Sequence, residues 1–309
     1  MAEPHRSQSP RVTIGMPVYN SRAPEFRAAF ESILAQDYAD FEVLISDNGS
    51  DDASRAMYES AAASDSRVRL VRHAENYGAI FNFSYVLDHA RGEFFLWAAD
   101  DDLRAETYLR KTVALLDRHP EAVTAGTRVV NVDASGARIG EVEFNPNFCL
   151  PRPSQRIPVR GCCATDFMDI YSLHRRSALL KIHPGQLMHG ADVLLVRELL
   201  ILGKIVRVDE DLFFYRVPTS YSVGDLPMRL AGSADRELPF RQPVVYLALR
   251  LLLAAATLDA DITPRERAAC ISVLLSSLSY YGWLTPDLRM LVRNALPESI
   301  VKLGWRVAR

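Results

Sequence analysis

Short apolar runs alternate with amphipathic stretches from residue 12 to residue 98, and this alternation strongly limits the folds open to the chain. The apolar runs cover 12–18, 41–46, 67–71 and 93–98, and helical periodicity fills about 24–36, 52–63 and 78–90. Strands that alternate with helices of this length form parallel sheets with helices on both faces. The pattern predicts an α/β domain built on a mostly parallel sheet.

The pattern continues beyond residue 98 and then changes. A helix at about 105–118, strands at 121–131, 138–144 and 204–208, and helices at 175–181 and 191–202 are predicted. Four prolines in 145–161 favour a surface loop without regular elements. After residue 226 only helical segments follow, at 240–258, 263–281 and 286–305. We therefore expect a disordered tail at 1–10, the α/β domain at 11–225 and a helical region at 226–309.

Composition narrows the class of protein. The formal charge of -2 and the pI of about 6.4 give no overall attraction to nucleic acid. The four cysteines form no CxxC pair, which indicates reduced thiols in the cytoplasm. The polar N-terminus lacks the apolar run of a signal peptide. The longest apolar stretch, Val244 to Leu258, is interrupted by Arg250, so no transmembrane helix is predicted.

Two groups of carboxylates follow predicted strands. Residues 47–52 read DNGSDD and residues 100–102 read DDD. Ligands of open α/β sheets bind beyond the carboxyl ends of the strands, where residues distant in sequence converge. Adjacent carboxylates repel one another unless a cation compensates, and Mg²⁺ or Mn²⁺ prefers oxygen ligands. A nucleotide-and-metal site is the favoured interpretation; helix capping at Asp51 or Asp52 and a solvated acidic turn are the alternatives.

Other polar groups share the predicted edge. Pro17, Tyr19 and Asn20 end the first strand, where they can cradle a base or simply form a turn. Arg72 ends the third strand and Asn76 opens the next helix. A surface arginine and a helix-capping asparagine would explain the last two equally well.

These motifs, taken in order, resemble a known family. Residues 12–20 (VTIGMPVYN), 45–52 (ISDNGSDD), 76–78 (NYG) and 99–103 (ADDDL) are similar to family-2 inverting glycosyltransferases with the GT-A fold. The resemblance covers roughly residues 11–217. It implies a mixed sheet with flanking helices and transfer of a sugar from a nucleoside-diphosphate sugar to an acceptor hydroxyl.

The resemblance also implies roles for individual residues. Pro17, Tyr19 and Asn20 would line the pocket of the donor base, and Asp47 would bind the base. Arg72 and Asn76 would flank the nucleotide, and Asp100 would meet the ribose or sugar. Asp101 would ligate Mn²⁺ or Mg²⁺, with Asp102 as an alternative ligand. Asp192 matches the family's catalytic base, although helix capping also explains an aspartate there.

Departures from the family pattern keep other functions open. Ala191 replaces the acid that often precedes the base, and the histidine that often follows Tyr215-Arg216 is absent, so His183 or His189 is a candidate substitute. These departures allow a nucleotide-sugar-binding protein without transfer activity. The Gln-x-x-Arg-Trp signature of processive relatives is missing, which favours transfer of one sugar per encounter. A nucleotidyltransferase lacks support because no Gly-rich first loop is present, and a glycoside hydrolase would need two opposed carboxylates.

The C-terminal segment alternates cations with apolar residues. Between 289 and 309 five cations accompany one acid, Glu298. Such a helix can lie on a membrane surface beside a lipid-linked acceptor, or pack on its own domain or a dimer partner. We expect a cytoplasmic protein, at the inner face of the membrane if the helix binds lipid. Its acceptor would be a glycan, a lipid-linked sugar or a small molecule.

Overall fold

A computed structural model of the 309-residue chain describes residues 9–157, 166–182, 191–218, 254–258 and 260–280. Its first half alternates strands and helices as the sequence predicts. The elements are β1 Val12–Val18, α1 Ala23–Leu34, β2 Phe41–Asp47, α2 Asp52–Ser64, β3 Val68–Arg72, α3 Ala79–Asp88 and β4 Phe94–Trp97. Strands β1 to β4 pair in parallel in the order β3-β2-β1-β4. The predicted parallel half of the sheet is therefore confirmed.

The second half of the chain extends the same sheet with mixed directions. Its elements are β5 Leu103–Arg104, α4 Tyr108–Arg118, β6 Ala122–Val132, β7 Arg138–Val142, α5 Pro153–Arg156, β8 Leu173–Arg175, α6 Arg176–Leu179, α7 Ala191–Leu202, β9 Lys204–Arg216 and α8 Pro264–Tyr280. Strand β8 lies antiparallel between β4 and β6, and β9 runs parallel to β6 and antiparallel to β5. The nine-stranded sheet is therefore mixed.

Strand β9 is longer than the sequence predicts. It runs from Lys204 to Arg216, whereas the apolar pattern ends near residue 208. The register against β6 shifts so that Thr127 pairs with Val208 and Arg128 pairs with Asp211. The two acidic residues between them are accommodated as an irregularity, and pairing then resumes through the aromatic residues 213–215.

The predicted loop at 145–161 is wrong in part, because it contains two short helical segments. A 3-10 turn covers Pro146–Cys149, and α5 covers Pro153–Arg156. Proline stands first in each segment, where its fixed φ suits a helix and its missing N–H costs no hydrogen bond. Proline therefore begins these segments, whereas the prediction from the sequence treated it as a residue that interrupts regular structure.

The sheet buries apolar residues on both faces. Side chains from β1, β2 and β4 pack with α1, α2 and α4 in one cluster, and α3, α7 and α8 pack on the opposite face in another. Helix α3 lies so close to β1 that a Cβ on Gly15 would meet the Val86 side chain at 2.7 Å. The carboxyl ends of β1 to β4 stay uncovered by this packing, which leaves that edge for polar groups.

The described part of the C-terminal region packs on the same body. Leu258, Cys270 and Leu274 belong to the cluster that holds Leu194 and Leu199 of α7. On the surface, Glu266 of α8 accepts hydrogen bonds from the backbone N–H and hydroxyl of Ser154, at 2.9 and 2.5 Å. The boundary expected near residue 225 lies outside the described residues. In the described ranges no helix is long and apolar enough to cross a membrane.

Candidate functional site

The carboxyl ends of β2, β1 and β4 bring the two acidic groups to one edge of the sheet. Asp47 ends β2 and pairs in register with Val18 of β1. Strand β4 pairs with the other side of β1, and the triplet 100–102 follows it. The loop after β1 touches both groups: Asn20 N–H donates to Ser50 at 2.9 Å, and Ser21 donates to Asp100. Both acidic groups therefore lie at one edge of the sheet, linked by this loop, and the region between them is referred to as the crevice.

Asp47 is buried at the end of β2, with only 1% of its surface exposed. Its Oδ1 accepts the backbone N–H of Ser50 at 2.9 Å, which fixes the carboxylate in the turn before α2. Its Oδ2 lies 3.8 Å from Nε of Arg72. Arg72 also forms an ion pair with Glu59 at 2.5 Å. Arg72 and Asp47 thus lie side by side, as the adjacent strand ends predict.

The side chain of Asn76 forms hydrogen bonds mainly within the loop before α3 and with the neighbouring turn. Its Oδ1 accepts Nδ2 of Asn48 and the backbone N–H of Gly78, both at 2.8 Å. Asn48, which the sequence analysis did not single out, also accepts the N–H of Tyr77 at 3.0 Å. Gly49 has φ +75°, and a Cβ there would lie 2.5 Å from the backbone of Glu75. The NGS turn therefore packs directly against the loop before α3.

The loop after β1 combines a strained residue with an exposed ring. Asn20 has a φ of 48°, in the left-handed region. Its Oδ1 accepts the N–H of Asp51 at 2.9 Å, so its amide bridges two loops. Pro17 pairs with Ser46 within the sheet. Tyr19 is 47% exposed, which leaves its ring available at the mouth of the crevice.

The three aspartates of the triplet occupy different environments. Asp100 is half-buried and accepts a hydrogen bond from the Ser21 hydroxyl. Asp101 is also half-buried, and its backbone oxygen accepts Nε of Arg216 at 3.1 Å. Asp102 is only 1% exposed, and its Oδ1 accepts the backbone N–H of Arg216 at 2.8 Å. The end of β9 therefore fastens the triplet from one side.

Burial changes the acidity of these groups. Burial and, after it, the neighbouring charge of Asp100 raise the pKa of Asp101 to about 6, while Arg216 opposes the shift. Burial, followed by the charge of Asp101, raises the pKa of Asp102 to about 8, and the backbone N–H of Arg216 opposes it. Burial also raises the pKa of Asp100, against the hydrogen bond from Ser21. Placing several negative charges in this loop is therefore energetically unfavourable without a cation.

We expect Asp102→Asn to flatten the dependence of stability on pH. Asp102 has a folded pKa of about 8, against 3.8 for the free side chain. Between these values the unfolded chain releases a proton that the folded chain keeps, so the Asp102 contribution to stability falls as pH rises. The loss is on the order of a few kcal/mol. Melting temperatures from pH 5 to pH 8.5 should therefore fall less for the variant than for the wild type.

Asn is close in shape to Asp102 and keeps an oxygen for the Arg216 N–H, which isolates the effect of charge. Asp52→Asn is the matched control, because the Asp52 side chain is 93% exposed. Its melting curve should follow that of the wild type throughout. Parallel curves for Asp102→Asn and the wild type would contradict a buried, proton-holding carboxyl group.

The donor set fits a hard divalent cation that the protein holds only in part. Oδ2 of Asp102 is buried and has no hydrogen-bond partner. Asp101 is its more accessible neighbour. Within the described ranges, no group of three or more His, Cys, Asp or Glu side chains is arranged to hold a metal. Mg²⁺ and Mn²⁺ commonly take one or two carboxylates and complete their shell with phosphate oxygens and water, so this arrangement suits a cation that arrives with a diphosphate.

Asp192 lies in the first turn of α7, which packs on the 3-10 turn Asp166–Tyr171. Burial raises the pKa of Tyr171, and the charges of Asp102, Tyr215, Asp192 and Asp101 raise it further. These groups therefore lie within electrostatic range of one phenol. The phenol therefore stays protonated, and Asp192 is one of the charges that keep it so.

Other expected contributors lie outside the described residues. These are His183 and His189, the proposed substitutes for the missing histidine, and the cationic segment 286–309. The described loops are held together by Tyr58, Ser21, Asn48 and Ser50, none of which was predicted from the sequence as a donor-binding or catalytic residue. The hydroxyl or amide of each is ordinary in isolation, and only the fold brings it to the crevice.

A family model and several curated relatives match this chain. The family model for glycosyl transferase family 2 matches residues 13–180. A Bacillus subtilis protein named as a glycosyltransferase, EpsE, is 29% identical over 133 residues, which are 43% of this chain and 48% of EpsE. A Campylobacter jejuni enzyme, GalNAc(5)-diNAcBac-PP-undecaprenol beta-1,3-glucosyltransferase, is 32% identical over 95 residues, 30% of each chain. The matches cover less than half the length of the first curated relatives.

Solved structures share the fold over most of the chain. S. aureus TarS superposes with a TM-score of 0.61 at 16% identity, covering 95% of this chain and 50% of TarS. The shorter TarS 1-349 gives a TM-score of 0.60 and is covered to 83%. The mixed sheet with flanking helices is thus the GT-A fold, as the resemblance implied. With the family model matching more than half of its residues, the chain belongs to glycosyl transferase family 2.

Proposed function

We propose that the protein is an inverting, metal-dependent, non-processive glycosyltransferase that moves one sugar from a nucleoside-diphosphate sugar to an acceptor hydroxyl. The observation that carries the proposal is the loop after β1, whose Asn20 and Ser21 reach Ser50 beside Asp47 on one side and Asp100 on the other. A donor of this kind has a base at one end and a diphosphate-linked sugar at the other. The crevice offers separate polar groups for both ends.

The nucleoside end of the donor would occupy the side of Asp47. A buried carboxylate with one oxygen committed to Ser50 can accept a hydrogen bond from a base N–H with the other. The exposed Tyr19 ring offers a face for stacking on the base. Arg72 lies next to Asp47 and supplies positive charge near the nucleotide. Asn20 and Asn76 support this pocket by fixing its loops.

The diphosphate end would lie over the acidic triplet. Asp101, with Asp102 behind it, would hold Mg²⁺ or Mn²⁺. When bound, the cation would neutralise the charge that grows on the departing nucleoside diphosphate. Arg216 orients the triplet from its other side. Asp100 would face the ribose or the sugar.

Asp192 would remove the proton of the acceptor hydroxyl. Its Oδ atom would take that proton as the acceptor oxygen attacks the anomeric carbon from the face opposite the leaving diphosphate. Attack from that face inverts the configuration. Tyr171 lies in the field of Asp192, Asp101 and Asp102, which supports a shared site for base and diphosphate. A sequence without the processive signature supports one transfer per encounter.

Relatives suggest which ligands to try first. TarS 1-349 has been solved with UDP and with UDP-GlcNAc, so UDP-sugars are the first donors to test. The Campylobacter jejuni relative is named for a polyprenyl-diphosphate-linked glycan, which makes lipid-linked sugars the first acceptors. We further propose a cytoplasmic location, contact with the inner face of the membrane and a homodimer.

We expect a nucleoside diphosphate to raise the melting temperature only when Mn²⁺ is present. Ligand that binds the native state stabilises it by about 2.7 kcal/mol at a hundredfold excess over Kd. The measurement compares UDP, GDP and dTDP, each with Mn²⁺ and with chelator. The proposal is contradicted if none of the three nucleotides shifts the melting curve in the presence of Mn²⁺.

Turnover separates the enzyme from the alternative of a binding protein without transfer activity. A metal-dependent melting shift followed by release of nucleoside diphosphate in the presence of acceptor supports the enzyme. A shift without such release across glycan, lipid-linked and small-molecule acceptors supports the binding protein. Sugar release without nucleotide release would point to a hydrolase.

A further inference from the structure

Tyr58 is a buried residue whose hydroxyl contacts the loop after β1. It lies on α2 with 0% of its surface exposed, and its ring packs edge-on against Phe26 with centroids 5.1 Å apart. Its hydroxyl donates to Oγ of Ser21 at 2.7 Å and accepts the backbone N–H of Ser21 at 3.0 Å. The aromatic part therefore belongs to the core, whereas the polar tip holds the loop after β1 by two hydrogen bonds.

Ser21 passes this constraint to Asp100. Its hydroxyl donates to Oδ2 of Asp100. An ionised carboxylate only accepts and each hydroxyl has a single proton, so with Asp100 ionised the chain runs in one direction: Tyr58 donates to Ser21, and Ser21 donates to Asp100. Hydrogen bonds in such chains polarise one another, and the bond to the carboxylate is strengthened as a result. The rotation of the Asp100 carboxylate is thus set by a residue outside the crevice.

The loop that Tyr58 holds also contacts the loop that follows β2, through Ser50. Ser50 in turn accepts the N–H of Asn20 at 2.9 Å and donates its own N–H to Asp47 at 2.9 Å. The loop after β1, which Tyr58 holds, therefore connects the loops that follow β2 and β4. These loops carry the residues placed at the two ends of the donor.

We propose that Tyr58 is a positioning residue of the donor site, which orients Asp100 toward a hydroxyl of the ribose or the transferred sugar through Ser21. The inference rests on the proposed function and extends it to a residue that never touches the donor. A buried tyrosine that served stability alone would lower the melting temperature when truncated and leave donor affinity unchanged. A positioning role predicts weaker donor binding by a protein that still folds.

The test measures Kd for UDP-GlcNAc in the presence of Mn²⁺ by calorimetry. Tyr58→Phe and Ser21→Ala are each expected to weaken binding roughly three- to tenfold, the value of one hydrogen bond. Because both act on Asp100 through one chain, the double variant should bind about as weakly as Ser21→Ala alone. Ser21→Thr keeps the hydroxyl and should bind close to the wild type. Tyr38→Phe makes the same chemical change at a half-buried tyrosine near Arg11, outside the network, and is the control.

The outcomes separate this inference from the proposed function. Failure of the wild type to bind any donor overturns both. A folded Tyr58→Phe protein with wild-type affinity overturns the inference and leaves the function standing, as does a double variant whose losses multiply. If Tyr58→Phe does not fold, Ser21→Ala decides, since Ser21 lies in a partly exposed loop: unchanged affinity there also overturns the inference.

Discussion

Asp101→Ala is expected to lower kcat/KM by about a thousandfold or more. A cation at the leaving diphosphate is worth several kcal/mol, and each 1.36 kcal/mol is tenfold in rate. Asp101 is half-buried and precedes Asp102, whose buried Oδ2 has no hydrogen-bond partner. Its removal would leave Asp102, whose other oxygen is committed to Arg216, to hold the cation alone. Release of nucleoside diphosphate as a function of Mn²⁺ concentration measures the effect.

Two comparisons sharpen this expectation. Asp52→Ala removes a carboxylate that is 93% exposed at the start of α2, and it should leave the Mn²⁺ dependence unchanged. Asp101→Asn keeps the shape of the side chain but loses its charge, and it should resemble Asp101→Ala. Full activity of Asp101→Ala in the presence of chelator would end the metal-dependent mechanism.

Asp192→Asn is expected to lower kcat by about 10² to 10⁴, the usual contribution of a general base. Donor affinity should stay near that of the wild type, because the base acts on the acceptor. Steady-state rates at saturating donor and Kd for UDP-GlcNAc with Mn²⁺ give the two quantities. The loss should be no larger than that of Asp101→Ala.

Helix capping is the competing role of Asp192, and stability distinguishes it. Asn caps helices about as well as Asp, so Asp192→Asn should melt like the wild type while losing activity. Asp88→Asn, an exposed change on α3, is the control for the substitution itself. Wild-type kcat in Asp192→Asn would assign the residue to capping and leave the base unidentified.

The parallel half of the fold was predictable because its signal is local. Strands β1, β2 and β4 are runs of buried, mostly apolar residues, β3 is a partly buried strand, and each intervening helix has an apolar face, so spacing alone gives type and order. The edge that carries Asp47 and the triplet follows from the same rule. Strand β9 could not be predicted in full, because its continuation past Asp209 depends on β6 tolerating a register shift. That tolerance is a property of the pairing.

The roles of the individual residues around the crevice were less predictable. Asn20 and Asn76 have residue types that suit a nucleotide, and their positions at strand ends are those expected of ligands. Their amides instead bind Asp51, Asn48 and Gly78, because orphan backbone groups in tight loops compete for the same atoms. Conversely, the sequence pattern around Tyr58 indicates only a core residue on a helix. Its function depends on a hydrogen bond to a loop 37 residues away in sequence.

Helix α8 belongs to the apolar cluster that also contains α7, and this has a consequence for truncated forms of the protein. Cys270 and Leu274 of α8 are buried in that cluster, and so are Leu194 and Leu199 of α7. A fragment that ends near residue 225 would expose apolar side chains of that cluster to solvent. Ser154 would also lose its hydrogen bonds to Glu266. We expect such a fragment to aggregate, so expression boundaries belong beyond Tyr280.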